Sequence, residues 1–372
     1  MISFLKVFTL KNYIDTLLTK FKTFKMIDLN TYNKKINIGN KFVTNNRVFV
    51  IAEIGSNHNQ DLDVALQSID AVVEAGADAV KFQNINLEKL YYKKDKDLVK
   101  LHKLIDINVD WLSKLKEYCD KKNIIFFSSP TYLEAVDLLL EIGVDLFKIA
   151  SPQANFPQLI KKVSNTGKPT IMSSGQSTLE ALKNSVNNFL SQGNDKLIIL
   201  HCNSIYPTPF EQVNLKMIEK LKTIFKGHIG FSDHTLGVSA PIAAVALGAK
   251  VIEKHFVLNK SFNSPDAKFS LDQNEFKYMV KCIREAESVL IPNDRSQLHP
   301  IEAEYKKSFA YKAVLKRNVK EDDLLDEKDL NFLRAEKGID ANDLDLYTNS
   351  RARFKRSLKE GDLINSHDLK LD

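Results

Sequence analysis

The sequence reads as an α/β protein: a TIM (β/α)8 barrel followed by a small, mostly β domain. Three observations predict it. From Arg47 onward, eight short β-branched or apolar runs alternate with amphipathic stretches, and such alternation implies parallel strands joined by right-handed crossovers. The eight units occupy roughly 240 residues, the usual size of such a barrel. The first strand–helix turn reads Glu53-Ile54-Gly55-Ser56-Asn57-His58, without the glycine-rich phosphate loop typical of a doubly wound open sheet.

Taken in order, residues 1–46 form an N-terminal extension. Residues 1–25 carry five Lys, one Asp and no Arg. Leu10, Ile14, Leu17, Leu18 and Phe21 share one helical face, as in a solvated amphipathic segment. No clean apolar core or small-residue cleavage site marks a secretory signal, and Met26 is an alternative start. The barrel spans 47–285. Its strands are predicted at Val48–Glu53, Ala79–Gln83, Ile124–Ser128, Leu146–Ile149, Thr170–Ser173, Leu197–His201, His228–Ser232 and Val251–His255. Stretches such as Leu62–Ala75 and Tyr132–Ile142 place apolar residues at three- and four-residue steps. Gly76, Gly143 and Gly248 suit the helix ends that precede strands. Pro292 and Pro300 lie in a polar stretch within a linker over 286–304. The remainder, 305–372, shows short apolar alternations such as Ala313-Val314-Leu315 and Leu330-Asn331-Phe332-Leu333, with acidic and Gly turns between them.

At 372 residues the chain exceeds what one compact core usually holds, which agrees with two domains. Hydrophobic residues make up 44% and charged residues 27%, ordinary for a globular protein. No apolar run is long enough to span a membrane. The net charge of +6 comes from scattered Lys rather than one basic face, which argues against nucleic-acid binding. Cys119, Cys202 and Cys282 form no CxxC pair and no disulfide framework. A reducing cytoplasm is the expected setting.

Chemistry in a TIM barrel sits at the carboxyl ends of the strands, and here those ends are polar. They carry Glu53, Lys81 with Gln83, Ser128 with Ser129, Lys148 with Ser151, Ser173, His201 with Ser204, Ser232 with Asp233 and His234, and Glu253 with His255. Alternation along a strand puts Lys81 and Gln83 on one face, and likewise Glu253 and His255. Six strands with ionisable groups are hard to assign to stability alone, because buried charge is costly unless paired or bound. Lys81 and Lys148 among hydroxyls suit an anion bearing phosphate and carboxylate. His234 and His255, with Asp233 and Glu253 beside them, suit a divalent transition metal such as Mn2+. His58 and His201 read as core histidines.

At these residues the sequence resembles the sialic acid synthase family, the N-acetylneuraminate synthases with their legionaminate and pseudaminate relatives. The resemblance runs from about Val48 to the C-terminus. Its segments are Ala52 to His58, Val80-Lys81-Phe82-Gln83, Phe127-Ser128-Ser129-Pro130, Phe147-Lys148-Ile149-Ala150-Ser151, Leu200-His201-Cys202 with Tyr206-Pro207, Gly230 to Thr235, Ile252 to Phe256, and Pro265-Asp266 with Phe269-Ser270. It implies an antifreeze-like (SAF) C-terminal domain, with signatures around Phe309 and at Asn331-Phe332-Leu333-Arg334. It also implies a domain-swapped homodimer in which Arg334 and Phe309 contact the sugar in trans.

By the same resemblance, Lys81, Ser129, Lys148, Ser151, Ser173 and Ser232 hold phosphoenolpyruvate, with Ser204 where bacterial neuraminate synthases often have Asn. His234 and His255 bind the metal, with Glu253 near its water; Mn2+ is expected, with Mg2+ and Co2+ as the other choices. Glu53, Gln83, Tyr206 and Asp266 hold an open-chain N-acetylated amino sugar, and Glu53 orients it or moves a proton. The implied activity is condensation of phosphoenolpyruvate with N-acetylmannosamine or a similar sugar, giving a nonulosonic acid. The alternatives are pseudaminate or legionaminate synthesis from a diacetamido-trideoxyhexose, an aldose-phosphate-condensing barrel, and a non-catalytic carbohydrate-binding protein. Asn57 to Gln60 and His255 to Lys260 lean toward the pseudaminate branch; the Lys268 region leans away from it.

Overall fold

The computed structural model describes residues 35–292 and 294–371. The amphipathic face of residues 1–25 and the alternative start at Met26 lie outside them. The chain divides into two compact units, Met1–Ile291 and Pro292–Asp372.

The first unit opens on an antiparallel hairpin, β1 (Ile36–Ile38) and β2 (Lys41–Val43). Eight parallel strands follow: β3 (Phe49–Gly55), β4 (Ala79–Asn84), β5 (Ile125–Pro130), β6 (Phe147–Ile149), β7 (Thr170–Ser173), β8 (Leu197–Cys202), β9 (His228–Asp233) and β10 (Val251–His255). Each pairs with its neighbour in sequence, and β10 pairs with β3 to close the barrel. All eight expected runs are strands, with ends displaced by two residues at most.

Helices cover the outside. In Leu62–Glu74, Ala65, Ile69 and Val72 form the buried stripe, and the Asp61 carboxylate caps the first turn by accepting from the Asp63 N–H at 2.8 Å. The last barrel helix, Gln273–Val289, starts on a capping box between Asp272 and Glu275. It runs past residue 285, the expected end of the barrel.

Strand alternation sorts the barrel interior into layers. The inward side chains at the amino ends are Phe49, Ile51, Ala79, Ile125, Phe127, Leu146, Ile171, Ile198, Leu200 and Val251, and they form one buried cluster. Ile36, Ile38 and Val43 of the hairpin belong to that cluster. Residues 36–43, read as part of the extension, therefore plug the amino end of the barrel. Two apolar residues in a three-residue strand are too few to show a period, so sequence alone hid them. The interior is tight: a Cβ on Gly230 of β9 would lie 2.4 Å from the Val251 carbonyl oxygen, so only glycine fits there.

The second unit has its own core of Ala313, Leu315, Leu325, Leu330, Ile339, Phe354, Ile364 and Leu369, among others. β11 (Tyr311–Leu315) pairs antiparallel with β12 (Leu330–Arg334), and β13 (Arg353–Phe354) with β14 (Leu369–Lys370). A helix, Pro300–Phe309, precedes them. It occupies ground assigned from sequence to linker and β domain. Pro300 in its first turn fits, since a proline there leaves no needed hydrogen bond unmade.

Candidate active site

The alternation that buries Phe49, Ala79, Ile125, Leu146, Ile171, Ile198 and Val251 at the amino end fixes what faces inward further along. Two or four residues on, the same parity selects Glu53, Lys81, Gln83, Ser129, Lys148, Ser173, Cys202, Glu253 and His255. Ser232, His234, Ser151, Tyr206 and Asp266 join them in lining one cavity of about 500 Å³. Ser128 and Asp233 fall on the opposite parity. The Ser128 hydroxyl donates to the Phe82 carbonyl at 3.0 Å.

The cavity floor is a charge cluster. Lys81 Nζ lies 2.7 Å from Glu53 Oε2 and 3.7 Å from Glu253 Oε2. Lys148 Nζ lies 3.3 Å from Glu253 Oε1 and donates to the Ser173 hydroxyl at 2.8 Å. The Ser232 hydroxyl donates to Glu253 Oε1 at 2.8 Å, and Gln83 donates to Glu53 Oε1 at 2.6 Å. All four ionisable side chains are at least 95% buried. Burial raises the Glu53 pKa, with Lys81 opposing. Burial opposes the charge on Lys81, but Glu253 and Glu53 outweigh it and hold the ammonium above its ordinary range. Lys148 goes the other way: burial lowers it despite Glu253. Glu253 sits at about 2, because Lys148 and Lys81 overcome its burial. Two lysines gathered this closely, one of them lowered by burial, have the chemistry to receive an anion.

Hydroxyls surround that floor. Ser129 Oγ lies 3.5 Å from Lys81 Nζ. A Cβ added to Gly175 would lie 2.6 Å from both Ser151 Oγ and Ser204 Oγ. Glycine therefore leaves a gap where two hydroxyls converge. Ser204 differs from expectation in one respect: it lines a neighbouring cavity, which shares Cys202 with the first.

The rings of His234 and His255 are 5.2 Å apart between centroids. Burial, helped by the neighbouring positive groups, pushes His255 well below 6.5, so it is the neutral imidazole that ligates metals. Its Nδ1 is buried without a hydrogen-bond partner; the closest carboxylate oxygen, Asp266 Oδ2, is 3.6 Å away. His234 Nδ1 lies 2.8 Å from the Asn203 carbonyl oxygen, which fixes the ring. Burial would lower His234, but the Cys202 thiol beside it and the Asn203 carbonyl hold it above its ordinary value. Among the described residues no group of three or more His, Cys, Asp or Glu side chains is gathered for a metal. The two imidazoles fit a divalent ion that takes its other ligands from water and substrate.

The two expected metal neighbours differ. Glu253 Oε1 is taken by Ser232 and Lys148, while its Oε2, 3.7 Å from Lys81 Nζ, is buried without a hydrogen-bond partner. Asp233 faces outward, where its carboxylate takes Lys254 Nζ at 2.6 Å and the Thr235 N–H at 2.9 Å. That fully buried pair anchors the strand end from which His234 turns inward. His58 and His201 are core residues. Burial lowers His58 to about 4, and it meets Trp111 edge-on. His201 stacks on Phe231, with Nε2 2.6 Å from the Val213 carbonyl oxygen.

On the other side of the cavity, Asp266 accepts from the Ser56 hydroxyl at 3.2 Å, and burial raises its pKa. Tyr206 packs against His234 at 4.3 Å between ring centroids. Sequence reasoning missed three contributors: Cys202, His102, and the apolar wall of Ile85, Leu90 and Ile105. Strand parity with Ile198 and Leu200 was available to place Cys202 inward. The others lie in residues 85–106, where the helix Lys96–Ile105 has an amphipathic pattern but no local period tells which cavity that face meets.

Phe309 and Arg334 lie together on the second unit. The Arg334 guanidinium sits 5.1 Å from the Phe309 ring centroid and 5.6 Å from that of Tyr311. Both rings are about half exposed.

Comparison with known proteins bears on the family. A family model described as the NeuB family matches residues 68–294. An uncharacterised protein of Methanocaldococcus jannaschii is 40% identical over 337 residues, covering 90% of this chain and 99% of its own. The pseudaminic acid synthase of Campylobacter jejuni serotype O:2 is 37% identical over 343 residues, covering 87% and 99%. Among solved structures, the N-acetylneuraminic acid synthetase of Leptospira borgpetersenii, in complex with citrate, superposes with a TM-score of 0.68 at 34% identity, covering 74% of this chain and 96% of that one. With a closed eight-stranded barrel and relatives matched over nearly their full length, the chain belongs to the NeuB family.

Proposed function

We propose that this enzyme condenses phosphoenolpyruvate with an open-chain N-acylated amino sugar, giving a nonulosonic acid and phosphate. The observation that carries this is the floor of the cavity: Lys81 and Lys148, buried among hydroxyls, beside the two imidazoles. Lys81 and Lys148, with Ser129, Ser151, Ser173 and Ser232, hold the phosphate and carboxylate of phosphoenolpyruvate. Gln83, Tyr206 and Asp266 orient the sugar so that its aldehyde carbon meets carbon 3 of the enol, and a carbon–carbon bond forms. Water adds at carbon 2, and phosphate leaves with cleavage of the carbon–oxygen bond. The lysines balance charge as it shifts toward the phosphate. Glu53, with its raised pKa, handles the proton at the sugar oxygen. When bound by His234 and His255, a divalent metal, Mn2+ in the first instance, supplies Lewis acidity to the aldehyde.

The sugar we assign is a diacetamido-trideoxyhexose rather than N-acetylmannosamine. The Campylobacter relative is a pseudaminic acid synthase, and the Ile85, Leu90 and Ile105 wall suits a deoxygenated, acetylated sugar better than a polyhydroxylated one. Among the described residues no arginine of the same chain lines the cavity, which disfavours an aldose phosphate. Incubation with phosphoenolpyruvate, Mn2+ and each sugar, with phosphate release and product mass as readouts, tests this directly. No phosphate release with any amino sugar would sink it.

A domain-swapped homodimer remains part of the proposal. Mixed dimers of a Lys148→Met chain and an Arg334→Ala chain regain activity only if Arg334 acts in trans. Each lesion confined to its own protomer would leave both sites dead.

A further inference from the structure

Residues 85–106, after β4, place Leu90, Tyr91, His102 and Ile105 in the cavity wall. None takes part in the chemistry above. Three are hydrocarbon or aromatic; His102 is not, and it is only 3% exposed. Its Nδ1 lies 2.6 Å from Asp106 Oδ1, one helical turn on, and Tyr91 meets its ring edge-on at 5.3 Å. Asp106 is itself held, since its Oδ2 accepts the Leu87 N–H at 3.0 Å and its carbonyl takes Gln60 Nε2 at 2.9 Å. A carboxylate at Nδ1 selects the tautomer with hydrogen on that nitrogen. In the neutral ring Nε2 is then a hydrogen-bond acceptor, and Leu90, Ile105 and Ile85 line the same cavity.

An acceptor in a hydrocarbon wall fits a group with one N–H and an adjoining methyl. We propose that His102 is a specificity-determining residue, accepting the N–H of a sugar acylamino group at Nε2 while Leu90 and Ile105 pack its methyl, and that Asp106 is its positioning residue. This rests on the synthase reading above. A hydroxyl in place of the acylamino group can still donate, but it leaves the hydrocarbon unfilled and its own lone pairs dry. The site therefore discriminates between the two.

The test is steady-state kinetics on the Mn2+-loaded enzyme. Two substrates are used: the N-acylated sugar that the wild type turns over best, and its analogue with hydroxyl replacing the acylamino group. Wild type prefers the former at least tenfold in kcat/KM. His102→Ala raises the sugar KM at least tenfold, narrows that preference to threefold or less, and leaves kcat and the KM for phosphoenolpyruvate within twofold. His102→Gln, whose amide oxygen also accepts, recovers most of the loss. Asp106→Asn gives an intermediate sugar KM. Thermal melts check folding, and the Gln and Asn variants carry the test if the Ala variant is unfolded. Unchanged discrimination in the variants, or a fall in kcat with sugar KM intact, overturns the assignment. Absence of phosphate release with every sugar fails the synthase reading instead, and this inference with it.

Discussion

The same eight strands face inward with Phe49, Ala79, Ile125, Leu146, Ile171, Ile198 and Val251 at their amino ends, and with Glu53, Lys81, Ser129, Lys148, Ser173, Cys202, Ser232 and Glu253 toward their carboxyl ends. The amino end also holds a buried charge, Asp78, but that charge is fully partnered. Arg47 lies at 2.7 Å, Arg284 at 3.4 Å and Lys41 at 3.7 Å, and the Val50 N–H donates at 2.9 Å. At the carboxyl end, burial lowers the Lys148 pKa despite Glu253, and His255 Nδ1 has no hydrogen-bond partner. The difference teaches where stability and reactivity reside in one sheet. The carboxylate buried at one end is fully partnered, and the other end leaves a buried imidazole nitrogen without a partner.

Substitutions at the two ends should separate those roles. The largest effect is expected from Lys148→Met. The kcat/KM for phosphoenolpyruvate should fall about a thousandfold, as for loss of a transition-state charge donor, while the melting temperature stays near wild type. A matching loss of stability would erase the contrast. Asp78→Ala should do the reverse, costing about 3 kcal/mol in urea unfolding by stranding the Val50 N–H and Arg284, with kcat per folded molecule unchanged. Ile38→Ala should cost about 2 kcal/mol by opening a cavity under the barrel. If it costs nothing, the hairpin is not the plug described. Smallest is Gly175→Ala, whose new methyl crowds Ser151 and Ser204. The KM for phosphoenolpyruvate should rise about tenfold, near 1.4 kcal/mol, with no change in melting temperature.

Much of this was legible in the sequence because period two along a strand is a strong rule. Once Val251 faces inward, Glu253 and His255 must follow, and eight apolar runs of similar length leave few alternatives to a barrel. What escaped lacked a local signal for its place in the fold. The hairpin gives only Ile36 and Ile38 before a turn. The helix Pro300–Phe309 follows a proline-bearing polar stretch that looks like linker. His102 gains meaning only from Asp106 one turn later and from a chain reversal that carries both over the cavity. Asp233 was set beside a metal because it adjoins His234 in sequence, and Glu253 also because the family resemblance implies it. Parity sends the first outward to Lys254, and Coulomb attraction holds the second between lysines.

The quartet of Lys81, Lys148, Glu53 and Glu253 has a bearing on thermodynamics. Two ammonium groups and two carboxylates sum to zero, so a polyanion entering among them finds local attraction but no net countercharge. Something must travel with it, and Glu53, already raised toward its protonated form, is placed to take up a hydrogen ion from the solvent. Calorimetric heats of phosphoenolpyruvate binding would then scale with the ionisation enthalpy of whichever buffer is chosen.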